Sequence, residues 1–547
     1  MAATNVTLAV LAPFEVFQAA RLDFSQELAR LASQAGGSGT PATTEVDGQA
    51  KVQAALEGSD TLAMDIAGLV SDLAPSVQQS AIIAMGRLCG LSSALCSKVT
   101  QPELLRQVVE TVTQAASPSL LKAALFFLHA SALSSPEVAA ELVEMGVLGP
   151  LCERVEALDP ATKTDAVWCI AAIAKHNAAL AKAVSSSGAL PLLKLCLKEA
   201  SLPLRRITLS CLGCIGQHDA DLASTLAKDG HLPDTLPMLR HRDLVLRRHA
   251  CRALAVCVQH LSELGWWKAE ATADAVACLG AALAGDAETA SFAAALVGQL
   301  ARRSKPIAAN CHDLGAASLL VALLSNSKAS LVPAALALGH LCDAAPDAAA
   351  EAIEHGALPA LLALLDARPP PHVCAAAAAC LGAIGAADEK SAAAVASSGA
   401  LLAMAQSTVL SRRKLSAATL GAARAAMIQG LAKCVDYSVL VGLFEQMPVP
   451  PPAAEPSAEA GGPPPPDEAA VYAALLGALA AAFAKDGNPR HDFLSRGWLA
   501  HAQNAGRAGP KAKEALARLN KAFPAQMVKA NQDPDHEKAL LAQIVDK

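Results

Sequence analysis

The sequence predicts an all-α solenoid of about nine three-helix repeats, each about 42 residues long. Three observations carry that prediction. First, a phrase recurs: "HNAALAKAVSSSGALPLLKLCL" over residues 176–197 returns as "HDADLASTLAKDGHLPDTLPML" over 218–239. Weaker copies are "SPEVAAELVEMGVLGPLCERV", "PDAAAEAIEHGALPALLALL" and "EKSAAAVASSGALLAMA". Second, one glycine keeps the register: Gly146, Gly188, Gly230, Gly315, Gly356 and Gly399 are separated by 42, 42, 85, 41 and 43 residues. The long gap is two periods with one glycine missing, near Ala273. Third, the chain is 53% hydrophobic but only 3% aromatic. Small apolar side chains must fill the interior, which suits closely approaching helices and disfavours strands. A stack of repeats also lets 547 residues exceed the ~250–300 at which a single core stops growing, because each repeat contacts only its neighbours.

The elements follow in order. Residues 1–34 hold an N-terminal capping helix, "FEVFQAARLDFSQELARLA". Residues 35–50, rich in Gly, Ser and Thr, read as a flexible linker. The repeat array occupies 51–447, and its register extends backwards to positions near Leu104 and Leu62, where the apolar pattern persists without the glycine. Each repeat opens with a short helix such as "NAALAKAVSSS". Gly188 then supplies the left-handed turn that ends it. The second helix, "ALPLLKLCL", has Pro191 in its first turn, where a missing amide hydrogen costs little. A connector such as "KEASLP" leads to the longest, third helix, "LRRITLSCLGCIGQH", whose apolar residues recur at helical spacing and place it inside the stack. Its counterparts are "TKTDAVWCIAAIAKH" one period earlier and "VLRRHACRALAVCVQH" one later. The proline tract of 448–467 reads as an extended insert. Residues 468–547 form a C-terminal helical cap, with helices near 470–483 and 511–523 and a last degenerate repeat at "FLSRGWLAHAQNAG". Both ends are candidate contacts for an adjacent copy, since a solenoid exposes apolar faces there unless they are capped.

Composition narrows the function. A formal net charge of −6 gives no global basic field to recruit nucleic acid. The first residues show no cationic leader before an apolar core, so no secretion signal is expected. The longest charge-free apolar run, 469–484, is short of the ~18–20 residues that span a bilayer, so no membrane partner is expected. The 15 cysteines show no regular framework and read as small buried hydrophobes. No phosphate-binding GxxxxGK[ST], HExxH or GxSxG pattern occurs. No catalytic residue, metal site or cofactor is therefore expected.

Four constellations remain as candidates. Cys211 and Cys214 form a CxxC, which is half a metal site or two core thiols one helical turn apart; no second CxxC lies at zinc-site spacing. His176, His218 and His260 end successive third helices. At a helix spacing of ~8–10 Å they are too far apart to share a metal, and a donor at a helix C-terminus is the simpler reading. Trp266 and Trp267 occupy the place of a short first helix in the repeat without a glycine; they serve as a partner anchor or fill space in a defective repeat. Arg205, Arg206, Arg240, Arg242, Arg247, Arg248 and Arg252 are the densest basic region. Arg205 and Arg247 are equivalent, as are Arg206 and Arg248, so they form either a ladder that holds acidic peptide segments or a solvated face.

The repeat length and the "AVWCIAAIAKHN" phrase resemble the armadillo repeat, which implies a right-handed superhelical solenoid. The phrase "KHNAALAKAV…GALPLL" is similar to that of the sperm-associated antigen six family, as are "FEVFQAARLDFSQELARLAS" and "APSVQQSAIIAMGRLC". That resemblance implies a non-enzymatic structural protein of the central apparatus of motile cilia and flagella, located in cytoplasm, cytoskeleton and axoneme. Its implied partners are central-pair microtubule-associated proteins, tubulin, and stacked copies of itself or related armadillo proteins. A soluble cytosolic adaptor that binds an acidic partner in its groove is the alternative. Armadillo transport adaptors hold basic peptides with a tryptophan and asparagine ladder on the third helix. The tryptophan positions here hold Ile83, Phe126, Trp168, Ser210, Arg252, Ala295, Leu336 and Ala379. The asparagine positions hold Arg87, Ala130, Ala172, Cys214, Val256, Gln299, His340 and Ala383. One match in the first row and none in the second exclude a receptor of that kind, and the arginines would repel its ligand.

Overall fold

The computed structural model describes residues 66–400 with short breaks, most of 16–32, the helices of 437–446 and 466–523, and a few isolated positions. The linker of 35–50, the position near Leu62 and nearly all of the proline tract lie outside the described residues. Among the described residues the secondary structure is helical, without a strand. The chain divides into two compact units, Met1–Ser262 and Glu263–Lys547.

In the first unit, a helix over residues 19–30 buries Leu28 and Ala29, and Ala32 just after it is buried as well. Arg87 Nη1 donates to the Ala29 carbonyl at 2.8 Å, and Arg21 pairs with Asp72. Third helices follow at Pro75–Leu91, Pro118–Ser134, Pro160–Ala174, Leu202–Gly216 and Leu244–Val258, each packed on the next. Short first helices (Ser93–Val99, Pro136–Glu144, Ala178–Ser186, Ala220–Lys228) and second helices (Pro102–Gln114, Leu148–Val155, Ala189–Cys196, His231–Thr235) lie between them. Leu104 falls at the start of the second helix Pro102–Gln114, where the extrapolated register places it.

Helix starts repeat with the sequence. Asp159, Ser201 and Asp243 cap successive third helices, accepting from Thr162, Leu204 and Leu246 backbone N–H groups. Asn177 and Asp219 cap the first helices in the same way. Each such cap stabilises its helix by about 1 kcal/mol. The six register glycines, Gly146, Gly188, Gly230, Gly315, Gly356 and Gly399, all have φ between 75° and 87°. That left-handed conformation costs other residues ~1–2 kcal/mol, which explains why glycine marks the turn.

The second unit lacks one element that the repeat calls for. Residues 261–268 form no helix, and the second helix Ala269–Leu279 runs unbroken through the expected glycine position at Ala273. This corrects the placement of Trp266 and Trp267: they stand in a turn closed by Trp267 N–H to Leu264 O at 2.9 Å, not in a first helix. Regular repeats resume with third helices Ala287–Arg303, Leu331–Ala344 and Pro371–Ala387. Their first and second helices meet at sharp angles, 74° at Gly315 and again at Gly356. Among the described residues no single helix is long and apolar enough to cross a membrane.

Third helices approach closely because small residues face one another. A Cβ on Gly298 would sit 2.8 Å from Ala337 Cα. The scarce aromatics instead gather at the C-terminal end. Tyr437 and Phe444 of Tyr437–Gln446 join Phe483 of Pro466–Lys485, Phe493, Trp498 and Phe523 in one cluster, with ring centroids 5.3–5.9 Å apart. Helices on both sides of the proline tract therefore share one core.

Candidate interaction surface on the third helices

The surface of the third helices is set by one alternation. Ile83, Phe126, Trp168, Ser210 and Arg252 in the first unit are exposed or half-exposed, as are Ala295, Leu336 and Ala379 in the second. The residue after each (Ala84, Phe127, Cys169, Cys211, Ala253, Leu296, Ala337, Cys380) is buried. The aligned row is thus an outward ridge in each unit. No asparagine stands beside it, and Arg87 of the neighbouring row is turned to the Ala29 carbonyl.

In the first unit the ridge changes character along its length. Its N-terminal part is apolar and aromatic. Phe126 is 40% exposed, Leu133 39% and Trp168 45%. The Trp168 indole stacks on His129 of the preceding third helix at 5.0 Å with planes 21° apart. Phe126 lies over Gly86, where a Cβ would come within 2.7 Å of the ring. Burial, and then the Lys175 charge, lower the His129 pKa, so this platform is uncharged at neutral pH.

The C-terminal part is basic, and its arginines divide by role. Arg206 makes a two-point bond with Asp243, Nε to Oδ1 at 3.2 Å and Nη2 to Oδ2 at 2.6 Å. Asp243 caps the next third helix, so the pair ties two repeats, and Arg206 holds that carboxyl below its usual range. Arg205 points Nη2 at the Met238 sulfur, 3.4 Å away. Both Arg205 and its equivalent Arg247 bury an Nε without a hydrogen-bond partner. Arg248 and Arg252 are half-exposed one turn apart on Leu244–Val258, while Arg240 and Arg242 are exposed just before that helix. The His249 pKa is lowered by burial, then by Arg252, Arg248 and Arg206. The local field is positive despite Asp243. The seven arginines therefore do not form one solvent-facing ladder: Arg206 links repeats and Arg252 stands on the ridge.

The histidines are inter-repeat ties. Nε2 of His176, His218 and His260 donates to the carbonyls of Ala132, Ala174 and Gln217 at 2.6, 2.9 and 2.8 Å. Each acceptor lies in the last turn or at the C-cap of the preceding third helix, where carbonyls have no partner within their own helix, and the ring satisfies it. Gln217 Nε2 adds a bond to the Lys175 carbonyl at 3.0 Å. Ion pairs Lys163–Glu199, Lys182–Asp219 and Lys198–Asp234 also link successive repeats.

Cys211 and Cys214 are 0% and 6% exposed. Burial pushes both thiols up, as suits core side chains. Among the described residues no three His, Cys, Asp or Glu side chains gather as a metal site. Trp267 is buried and its indole N–H donates to Thr272 Oγ1 at 2.9 Å, filling the space that the missing helix leaves. Trp266 meets it edge-on at 5.7 Å, is half-exposed, and buries its own N–H without a partner. Phe126, His129 and Leu133 are absent from the sequence candidates. The aligned row contains Phe126, but exposure is needed to distinguish it from the core.

No family model matches the chain, and no curated protein matches it. Solved structures do. An engineered protein from a structural genomics consortium is 18% identical, over 75% of this chain and 94% of its own, with a TM-score of 0.57. A designed armadillo repeat protein in complex with the peptide (KR)4 is 21% identical over 42% of this chain and 99% of its own, TM-score 0.35. Computationally designed armadillo repeat proteins for modular peptide recognition are 20% identical over 42% and 99%, TM-score 0.34. The fold of the chain is an all-α solenoid of three-helix repeats.

Proposed function

We propose that this chain is a non-enzymatic structural scaffold of the central apparatus of motile cilia and flagella. In this reading it binds neighbouring central-pair proteins and supports motility. The observation that supports it best is the phrase from His176 to Leu197 and its copy one period on. Its histidines, caps and turn glycine each have a place in the repeat. The same phrase carries the resemblance to the ciliary family. Its partners there are central-pair microtubule-associated proteins, tubulin, and stacked copies of itself or of related armadillo proteins; neither nucleic acid nor membrane is among them. A scaffold suits a stack whose successive repeats, in the first unit, are tied to one another. Fractionation of ciliated cells tests the reading. A scaffold stays with axonemes after detergent, whereas recovery in the detergent-soluble fraction argues against it.

A second reading is a soluble cytosolic adaptor for an acidic partner. The half-exposed Arg252 on the ridge, with Arg248 one turn away, favours it. The two readings separate in the same fractionation.

A further inference from the structure

Two thiols near the N-terminal end of the repeat array face each other across a turn. Cys89 lies in the last turn of the third helix Pro75–Leu91, and Cys96 lies inside the first helix Ser93–Val99. Only Ser92, in extended backbone, separates the two helices. The Cys89 thiol hydrogen-bonds to the Cys96 sulfur. Ser134 Oγ, from the next third helix, donates to the same sulfur at 2.7 Å. A negative charge on Cys96 is thus met by more than one donor. The Cys89 bond, then Ser134 and Thr100, bring the Cys96 thiol down to about 7 against the opposing effect of burial. The bond to Cys96, and then burial, push Cys89 well up, so Cys89 keeps its proton. Burial pushes the thiols of Cys169, Cys211 and Cys257 up as well. Cys96 therefore differs from the inert core thiols that composition alone suggests.

We propose that Cys89 and Cys96 form a reversible oxidation site, in which Cys96 is the thiolate that reacts with a hydroperoxide and Cys89 closes a disulfide with it. Cys96 attacks one oxygen of hydrogen peroxide and becomes a sulfenic acid. The O–O bond breaks, and the leaving hydroxide takes up the proton that Cys96 gave up, forming water. The Cys89 sulfur then attacks the Cys96 sulfur. The S–S bond forms, the S–O bond breaks, and the hydroxyl leaves with the Cys89 proton as a second water. Two electrons pass from the thiols to one peroxide. A dithiol reductant reverses the step by exchange and is itself left as a disulfide. Access comes from local opening. Cys89 and Cys96 are 1% and 0% exposed, but Ser93–Val99 has only 7 residues, short of the ~12–15 that a helix needs to hold alone. Its opening lets a molecule as small as peroxide reach Cys96 while the long third helices stay closed. The disulfide staples this first helix to the end of the third helix before it. The inference stands whether or not the protein resides in an axoneme, and its failure leaves the fractionation result untouched.

The test treats the reduced full-length protein with hydrogen peroxide at neutral pH and stops the reaction with catalase. Iodoacetamide in urea, trypsin and mass spectrometry without reduction follow. Residues 88–98 form one tryptic peptide that holds both cysteines, bounded by cleavage after Arg87 and Lys98. That peptide is expected to become lighter by two hydrogens, with neither cysteine alkylated, before Cys169, Cys211 or Cys257 is oxidised. Dithiothreitol should restore it. Cys89→Ser should instead accumulate a dimedone-reactive sulfenic acid at Cys96. Ser134→Ala removes a donor from the thiolate and should slow the oxidation several-fold. In the oxidised protein, amide exchange across Ser93–Val99 should slow about tenfold or more. Unchanged circular dichroism establishes that the variants fold. The proposal is overturned if both thiols stay alkylatable while other buried cysteines oxidise, if Cys96 gains no sulfenic acid in Cys89→Ser, or if the disulfide forms only in urea.

Discussion

The close approach of third helices in the second unit makes a sharp prediction. In Gly298→Ala the new methyl would lie 2.8 Å from Ala337 Cα and 3.0 Å from its Cβ. Both neighbouring atoms belong to the packed helix Leu331–Ala344, and neither can rotate away. The helices must separate by about half an ångström or more, and overpacking of this kind costs ~1–3 kcal/mol. Against that, replacing glycine by alanine inside a helix gains ~1 kcal/mol. Gly477→Ala in Pro466–Lys485 isolates the gain, because nothing lies within 4 Å of its Cβ position. The two variants should therefore differ by ~1–3 kcal/mol in local opening free energy, roughly 5- to 150-fold in exchange rate. Hydrogen-exchange mass spectrometry resolves this helix by helix. Gly477→Ala should slow exchange in Pro466–Lys485, while Gly298→Ala should speed it in Ala287–Arg303 and Leu331–Ala344 relative to that control. Equal slowing in both variants would refute close packing through small residues.

Three further outcomes follow from the repeat ties and buried groups. His218→Ala removes a 2.9 Å bond to the Ala174 carbonyl, worth about 1 kcal/mol, so exchange at the C-terminal end of Pro160–Ala174 should rise about fivefold. Unchanged exchange would show that the ring is not a tie. Burial lowers the pKa values of His129, His249 and His340 below their ordinary 6.5. The unfolded chain then takes up protons first, so this stability is complete above pH 6.5 and is lost as pH falls through the folded values. Asp165 and Asp343, whose carboxyls burial raises, pull the other way. Urea midpoints should fall between neutral and mildly acidic pH, and replacing His129 and His340 with Gln should reduce the drop; an unaltered drop would contradict the assignment. Cys211 and Cys257 are fully buried with raised thiols and should resist iodoacetamide in the native protein while reacting fully in urea. Rapid native labelling of either would place it outside the core.

The repeat is legible in the chain because its turn chemistry cannot be hidden. Gly146 through Gly399 occupy a conformation that few other residues tolerate, so their spacing reports the period directly. Caps at Asp159, Ser201 and Asp243 repeat for the same reason. The row from Ile83 to Ala379 is also legible, since helical phase alone puts equivalent residues on one face. What was not legible depends on neighbours across repeats. Nothing local states that Arg206 reaches Asp243, that His218 bonds a carbonyl 44 residues earlier, or that Phe126 rests over Gly86. The missing first helix before Ala269 was hidden likewise, because an absent glycine is compatible with either a degenerate turn or no turn. The C-terminal aromatic core joins residues on both sides of a proline tract, and composition alone reads that tract as a boundary.

Crosslinking mass spectrometry on intact, detergent-extracted axonemes tests the proposed setting most directly. Exposed lysines such as Lys182 and Lys198 give the reagent access to the first unit. The proposal predicts crosslinks from this chain to central-pair microtubule-associated proteins or tubulin. Absence of the chain from washed axonemes, with crosslinks only to soluble proteins in the detergent extract, would contradict it.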